Sequence, residues 1–408
     1  MGATRLTATS YDSARSTYVP RQQGASATRA AEQMAKVTGK LDPLVDPAGF
    51  GVIRKSLIRF EERPDGLYLV TVGLPVPIEA RLDTTGSMGD NVEHALWALP
   101  DTYLQASQML PDCDPQIAIG VFADFLDDFV LCRPQFEMEA AKIVHQLTLM
   151  YANNNGFGNG GEDPQYGLFG AAYCTDDYAS RIGLKGYDFT ITDEPARDVH
   201  AKGLVRVYGD EVFDLVAANG HEIDRRNLPN TKQIFDDLLK RAHAFVLLVG
   251  DRWDAASYWP QVIDRSRIVQ MPHVDLLPQV QASIIGLTEG TLSLDELPDF
   301  LMTTASHRYD RWIDDAIKRT SSPEQAAELR EQTLKQPTKD EVRAVVRAVA
   351  NIPIGAQAAL PNFGKGPKAG DVFRNKGDLW PMDPSEVPVL SETEEEPDGP
   401  VWGVEGQL

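Results

Sequence analysis

Cysteine is scarce in this sequence: Cys113, Cys132 and Cys174 are the only three in 408 residues. They cannot form a disulfide framework for a chain of this length, and their spacing fits no zinc motif. None combines a basic neighbour with a nearby histidine, the pairing that activates a thiolate. Long apolar runs are missing as well. The longest, Ala244 to Val249, is far too short to span a bilayer, and the opening MGATRLTATSYDSARSTYV has no apolar signal core. Positive charge is in deficit, with 39 Lys and Arg against 60 Asp and Glu and a net charge of −21. A chain so acidic repels phosphate backbones, which argues against nucleic acid as its main partner. There is no Walker-type phosphate loop, no nucleophile–base pair and no internal repeat. The seven histidines are scattered, with no pair at metal-ligand spacing. These absences point to a cytoplasmic, soluble protein that neither enters membranes nor works as an enzyme.

What is present suits a folded core: 42% of residues are hydrophobic and 24% charged. Residues 1–50, rich in Ser, Thr, Ala and Arg, read as an N-terminal arm. Between the arms, strand-like and helix-like segments alternate. Strands are expected at Leu67–Val72, Ile78–Leu82, Ile117–Ala123, Phe129–Cys132, Tyr187–Thr192, Phe245–Val249 and Ile268–Met271. Helices are expected at Asn91–Leu110 with a break at Pro100, at Glu137–Tyr151, from Pro164, at Phe213–Ala218 and at Thr231–Ala244. Such alternation implies an α/β fold with a doubly wound, mostly parallel sheet. That domain spans residues 65–290. A helical extension follows over 291–350, where Ser322 and Thr338 open capping-box sequences. Residues 351–408 read as a flexible tail. After Lys376 it carries nine acidic residues, no basic ones and five prolines.

The segment Asp83-Thr84-Thr85-Gly86-Ser87 joins the end of a strand to the start of a helix, placing Asp83, Thr85 and Ser87 on a loop at a strand's carboxyl end. Ligands bind at that edge in open α/β sheets. One carboxylate and two hydroxyls at alternate positions present oxygen to one point, a donor set for a hard cation such as Mg²⁺, Ca²⁺ or Mn²⁺. Ser, Thr and Asp are equally the favoured helix caps, so the pentapeptide alone leaves both readings open. Two other loops carry similar donors: Asp193 after the Tyr187–Thr192 strand, and Asp163 within Gly160-Gly161-Glu162-Asp163-Pro164-Gln165.

The set DTTGS, GGEDPQ and ITDEP, in that order, resembles the von Willebrand factor A domain and its metal-ion-dependent adhesion site, in the intracellular type found in bacteria and phage. The strand Gln116–Asp124, ending Phe-Ala-Asp, resembles that family's second core strand. The resemblance covers roughly residues 65–290. It implies that Thr85 and Ser87 bind the ion directly, that Asp83 binds it directly or through water, and that Asp193 orients a bound water. The family's middle ligand is usually a threonine; here the glycine-rich turn offers Asp163, and Thr175 is a weaker candidate. The resemblance further implies a protein-binding role in which a partner's Asp or Glu completes the coordination of the ion. It also implies service as an adaptor or assembly component, with a separate MoxR-type AAA+ ATPase as a possible companion. A structural component of a virus or large particle is an alternative. So is a metal-dependent hydrolase using Asp83, Asp163 and Asp193, which would hold two ions.

Several features have plainer explanations. Gly156–Gly161 satisfies G-x-G-x-x-G but follows a helix rather than a strand, unlike the dinucleotide fingerprint. Asp124, Asp127 and Asp128 read as a solvated loop, Trp253, Tyr258 and Trp259 as core packing, and His94 as a helix-surface residue. Glu79 and Arg81, on one face of a strand expected to be buried, have no evident partner except each other.

Overall fold

Alternation along Pro75–Asp83 (β1) sets the layout of the chain. Val76, Ile78, Ala80 and Leu82 point to one side and Glu79, Arg81 and Asp83 to the other, and all nine residues are buried. The structure is a computed structural model that describes residues 30–152, 161–320 and 322–375. In it β1 lies inside a six-stranded sheet with Asp114–Phe122 (β2), Leu131–Cys132 (β3), Gly186–Thr192 (β4), Ala242–Leu248 (β5) and Ile268–Gln270 (β6). The order is β3-β2-β1-β4-β5-β6. Every pairing is parallel except that of β3 with β2. This is the doubly wound arrangement, and its strand order reverses between β1 and β4.

The flanking helices are Asn91–Ala98 (α1), Thr102–Met109 (α2), Ala140–Thr148 (α3), Pro164–Tyr173 (α4), Ala201–Tyr208 (α5), Val212–Ala218 (α6), Thr231–Arg241 (α7), Trp253–Val262 (α8) and Leu277–Glu289 (α9). One core layer joins the apolar face of β1 and β4 (Ile78, Leu82, Phe189, Ile191) to α1, α2, α3 and α9. Val342, Val345 and Val349 of the helix Lys339–Val349 belong to this same core, so the C-terminal helices are packed on the sheet domain. A second layer joins Ala244, Val246 and Leu248 of β5 to α4 through α8. Among the described residues no helix is long and apolar enough to cross a membrane.

The second face of β1 is charged, and the partners of Glu79 and Arg81 are now visible. Arg133 forks onto Glu79 at 2.8 and 2.9 Å. Arg81 meets Glu79 at 3.0 Å and forks onto Asp188 of β4 at 2.7 and 2.5 Å. Burial by itself would raise the Glu79 carboxyl, but Arg133 and Arg81 hold it at about 2. Arg133 also reaches Thr175 Oγ1 at 2.6 Å, and its carbonyl accepts from buried Arg54 at 2.7 Å. The helix that covers this chain must come close. A Cβ at Gly167 of α4 would sit 2.5 Å from Arg81 Cδ, so only glycine leaves room for the guanidinium.

Parts of both arms are ordered on the body. Arg54 donates to the carbonyls of Asp46, Gly49 and Gly51, and Ala35, Leu41 and Val45 join the first core layer. Residues 352–375, read from sequence as the start of a flexible tail, run along the amino-terminal ends of the strands. Gln357 bridges His243 Nε2 (2.9 Å) and the Lys185 carbonyl (3.0 Å). Val372–Phe373 pairs with Tyr68–Val72, which also pairs with Arg59–Glu62 in a small antiparallel sheet. These contacts use single polar and backbone groups, which leave no periodic signal in a sequence. The acidic stretch after Lys376 lies outside the described residues.

Removing one member of a buried ion pair is costly because the other stays charged, and without Asp188 the Arg81 guanidinium would keep only Glu79, which Arg133 already occupies. Asp188→Ala should therefore destabilise the chain by about 3–5 kcal/mol in urea unfolding, while Arg81→Met combined with Asp188→Leu should recover much of that loss. A cost below about 1 kcal/mol for Asp188→Ala would show that solvent reaches the pair.

Candidate functional site

At the reversal between β1 and β4 the two strands end in oxygen donors. Thr84 anchors the loop after β1, its Oγ1 donating to the Phe122 carbonyl at the end of β2 (3.0 Å). Met88 is buried in the core, which leaves Gly86 and Ser87 presented at the surface. Asp83 is wholly buried. Its Oδ1 accepts from Thr85 N (2.9 Å) and Thr85 Oγ1 (2.7 Å), and its Oδ2 accepts from Thr192 Oγ1, the last residue of β4, at 2.7 Å. Thr85 Oγ1 lies 3.2 Å from Ser87 Oγ, and Ser87 Oγ donates to Asp193 Oδ1 at 2.9 Å. A continuous hydrogen-bonded group thus runs Thr192–Asp83–Thr85–Ser87–Asp193 across the switch point.

The sequence places Asp163 in this group, and the structure gives its carboxylate other partners. Oδ2 accepts from Phe125 N and from Arg197, both at 2.6 Å, and Oδ1 accepts from Gln165 at 2.5 Å. Arg197 also bridges to Asp124 at 3.1 Å. The neighbouring Glu162 is the carboxylate that interacts with Asp83: after burial, Asp83 is the largest influence raising its carboxyl, to about 9. Its Oε2 is buried without a hydrogen-bond partner among the described residues. The loop is bolted in this orientation by Glu194, which accepts from Gly161 N at 2.7 Å and from Arg252 at 2.5 Å. Gly161 adopts φ +101°, a conformation that glycine takes without strain. Nothing in the hexapeptide itself distinguishes Glu162 from Asp163, although two adjacent acids necessarily point different ways.

Among the described residues no cation forms a close ion pair with this group. Burial raises Asp83 to about 7 against the three hydrogen bonds it accepts, and burial likewise raises Asp193. Arg197 serves Asp124 and Asp163, and Arg252 serves Glu194 and Asp254, coming only to 3.9 Å of Asp193. The donors at the edge are all oxygen, a set that Mg²⁺, Ca²⁺ or Mn²⁺ would fit.

The remaining candidates separate. Thr175 hydrogen-bonds Arg133 and the Gly170 carbonyl, so it belongs to the buried ion chain. Asp124 and Asp127 are buried rather than solvated, and Arg206 gathers the Phe125, Asp127 and Asp128 carbonyls. Trp259 is core, and its Nε1 holds the Glu194 carbonyl at 3.0 Å, whereas Trp253 is 81% exposed beside Arg252. Residues 153–160, with most of the G-x-G-x-x-G stretch, lie outside the described residues. His94 is not a plain surface residue: it packs against His273 and Asp275, distant in sequence and therefore invisible to any spacing rule.

No family model matches the chain, and no curated protein matches it. Among solved structures, a von Willebrand factor type A protein from Catenulispora acidiphila matches at 12% identity and TM-score 0.30, over 54% of this chain and 44% of that one. The pilus adhesin SpaC from Lactobacillus rhamnosus GG, in its open conformation, matches at 12% identity and TM-score 0.32, over 56% and 33%. The type V pili tip protein Mfa5 from Porphyromonas gingivalis matches at 17% and 0.22, over 35% and 26%. The chain spans less than half of each. At these scores the likeness carries no weight for function, which has to be argued from the site itself.

A carboxyl raised in the folded state costs stability once the pH exceeds its unfolded value, because folding must then take up a proton. Glu162→Gln removes that cost. In EDTA at pH 7 the variant should be more stable than wild type by roughly 1–2 kcal/mol, and the gain should vanish near pH 4. A variant less stable than wild type at pH 7 would mean that ionised Glu162 has a cationic partner.

Proposed function

We propose that this chain is a protein-binding module of von Willebrand factor A type that holds one divalent cation, Mg²⁺ or else Ca²⁺ or Mn²⁺, at the β1–β4 switch point. The observation that carries the reading is the hydrogen-bonded group Thr192–Asp83–Thr85–Ser87–Asp193, set where a doubly wound sheet opens its ligand crevice. Thr85 and Ser87 would supply hydroxyl oxygens to the ion. Asp83 and Asp193, the flanking carboxylates, would bind it directly or fix its waters. Ser87 is exposed, so the ion would keep a face open to a partner's Asp or Glu.

Glu162 modifies this picture. Its carboxylate, ionised once a cation arrives, would lower the residual positive charge of the ion and so weaken its pull on an acidic partner. Asp163 would reach the ion only by giving up Arg197. Cys113, Cys132 and Cys174 form no disulfide among the described residues, in keeping with a reducing compartment such as the cytoplasm. A MoxR-type AAA+ ATPase as companion follows from the family resemblance alone.

Calorimetric titration with Mg²⁺ and Mn²⁺ tests the reading. Wild type should bind one ion per chain, and Asp83→Ala none. An ion that binds only the folded state should stabilise it by about 2.7 kcal/mol at a hundredfold excess over Kd. Wild type that binds no divalent ion, or Asp83→Ala that binds as well, would refute it.

A further inference from the structure

A separate cluster lies where α1 packs against the turn Val274–Leu276. We propose that His94, His273 and Asp275 form a second metal site, for a borderline divalent transition ion such as Zn²⁺, independent of the oxygen-lined edge. Their ligand atoms all lie within 4.8 Å of one another. His94 Nδ1 is 2.8 Å from Asp275 Oδ1, and His273 Nδ1 is 3.4 Å from Asp275 Oδ2, so two imidazoles converge on opposite oxygens of one buried carboxylate. Two imidazoles with one carboxylate make a donor set suited to Zn²⁺, Co²⁺, Ni²⁺ or Fe²⁺, unlike the all-oxygen set at Asp83.

The alternative is a simple charged histidine–aspartate pair, which His94 makes at 2.8 Å and His273 only at 3.4 Å. Asp275 N donates to His273 Nδ1 at 3.2 Å, so that nitrogen presents a lone pair rather than a proton. That lone pair lies 3.4 Å from Asp275 Oδ2 and becomes a metal ligand when the ion displaces the long Asp275 N–H contact. The surroundings are those of a held ligand set. The Asp275 carbonyl accepts from Ser306 Oγ at 3.2 Å, and Tyr309 packs edge-on against His94 with centroids 5.1 Å apart. Asp90 and Glu93 add negative potential around His94, whose pKa is raised first of all by its bond to Asp275. Tetrahedral zinc with bonds near 2.0–2.1 Å needs ligand atoms about 3.3 Å apart, which modest rotations of the half-exposed His273 supply. His94 lies on the helix that follows the DTTGS loop, so the ion would tie that helix to the turn leading into α9.

Cobalt is the probe, because Co²⁺ in a low-coordinate site with nitrogen ligands shows intense visible ligand-field bands. Titrated into the full-length chain, Co²⁺ should produce those bands at one equivalent. Zn²⁺ should bleach them, and excess Mg²⁺ should not. His273→Ala, a change at a half-exposed side chain, should weaken Co²⁺ binding at least about tenfold. His145→Ala, at an exposed histidine of α3, should leave it unchanged. Wild type without these bands, or bands of equal affinity in His273→Ala, would overturn the proposal.

Discussion

Charge buried in the middle of a parallel sheet is the constraint around which the rest of this molecule is arranged. Strands covered on both faces ordinarily read as continuous apolar runs, yet β1 carries Glu79, Arg81 and Asp83 on one face, beside Asp188, Thr190 and Thr192 of β4. Each charge in the lower part of that stripe is matched: Arg133 with Glu79, and Arg81 with both Glu79 and Asp188. Matching them requires glycine at position 167, and it uses the Arg133 carbonyl to receive Arg54, which pins the loop before the domain. The matching stops at Asp83. That last member of the stripe receives hydroxyls and one backbone N–H instead of a guanidinium, and it sits at the sheet's switch point. The ionic stripe and the candidate ion site are thus one feature, neutralised within the sheet and left open at its edge.

The same logic sorts the acidic residues around that edge. Arg197 and Arg252 hold the outer carboxylates Asp124, Asp163 and Glu194 in place, and these brace the loops. Burial raises the carboxyls of Asp83, Asp193 and Glu162, and that of Asp163 too, despite Arg197. Such an arrangement lowers stability at the sheet edge, as proteins commonly do where a ligand supplies the missing charge.

Much of this was legible in the sequence. The alternation of strands and helices identifies the doubly wound sheet, and the strand-to-helix passage through DTTGS puts Asp83, Thr85 and Ser87 on the ligand edge, with Asp193 on the loop after β4. Elements of local origin were the most readable, such as the Thr338 capping box, in which both reciprocal hydrogen bonds form. What stayed hidden depends on contacts between residues remote in sequence. The partners of Arg81 and Glu79 lie 107 and 54 residues away. The orientation of Glu162 against Asp163 is fixed by Glu194, Phe125 and Arg197, and His94 meets Asp275 across 181 residues. The docking of residues 352–375 rests on scattered backbone pairs, on single apolar residues such as Ile352, and on Gln357, whose partner His243 burial keeps at about 4.

We propose that the open end of the ionic stripe holds a divalent cation. Anomalous diffraction from crystals of the full-length chain grown with Mn²⁺ tests it most directly. A single manganese peak within bonding reach of Thr85 and Ser87, bordered by Asp83 and Asp193, is the expected result. A peak among Asp124, Asp127 and Asp163 in place of that edge, or no peak at the edge in crystals diffracting well enough to show one, would contradict this reading.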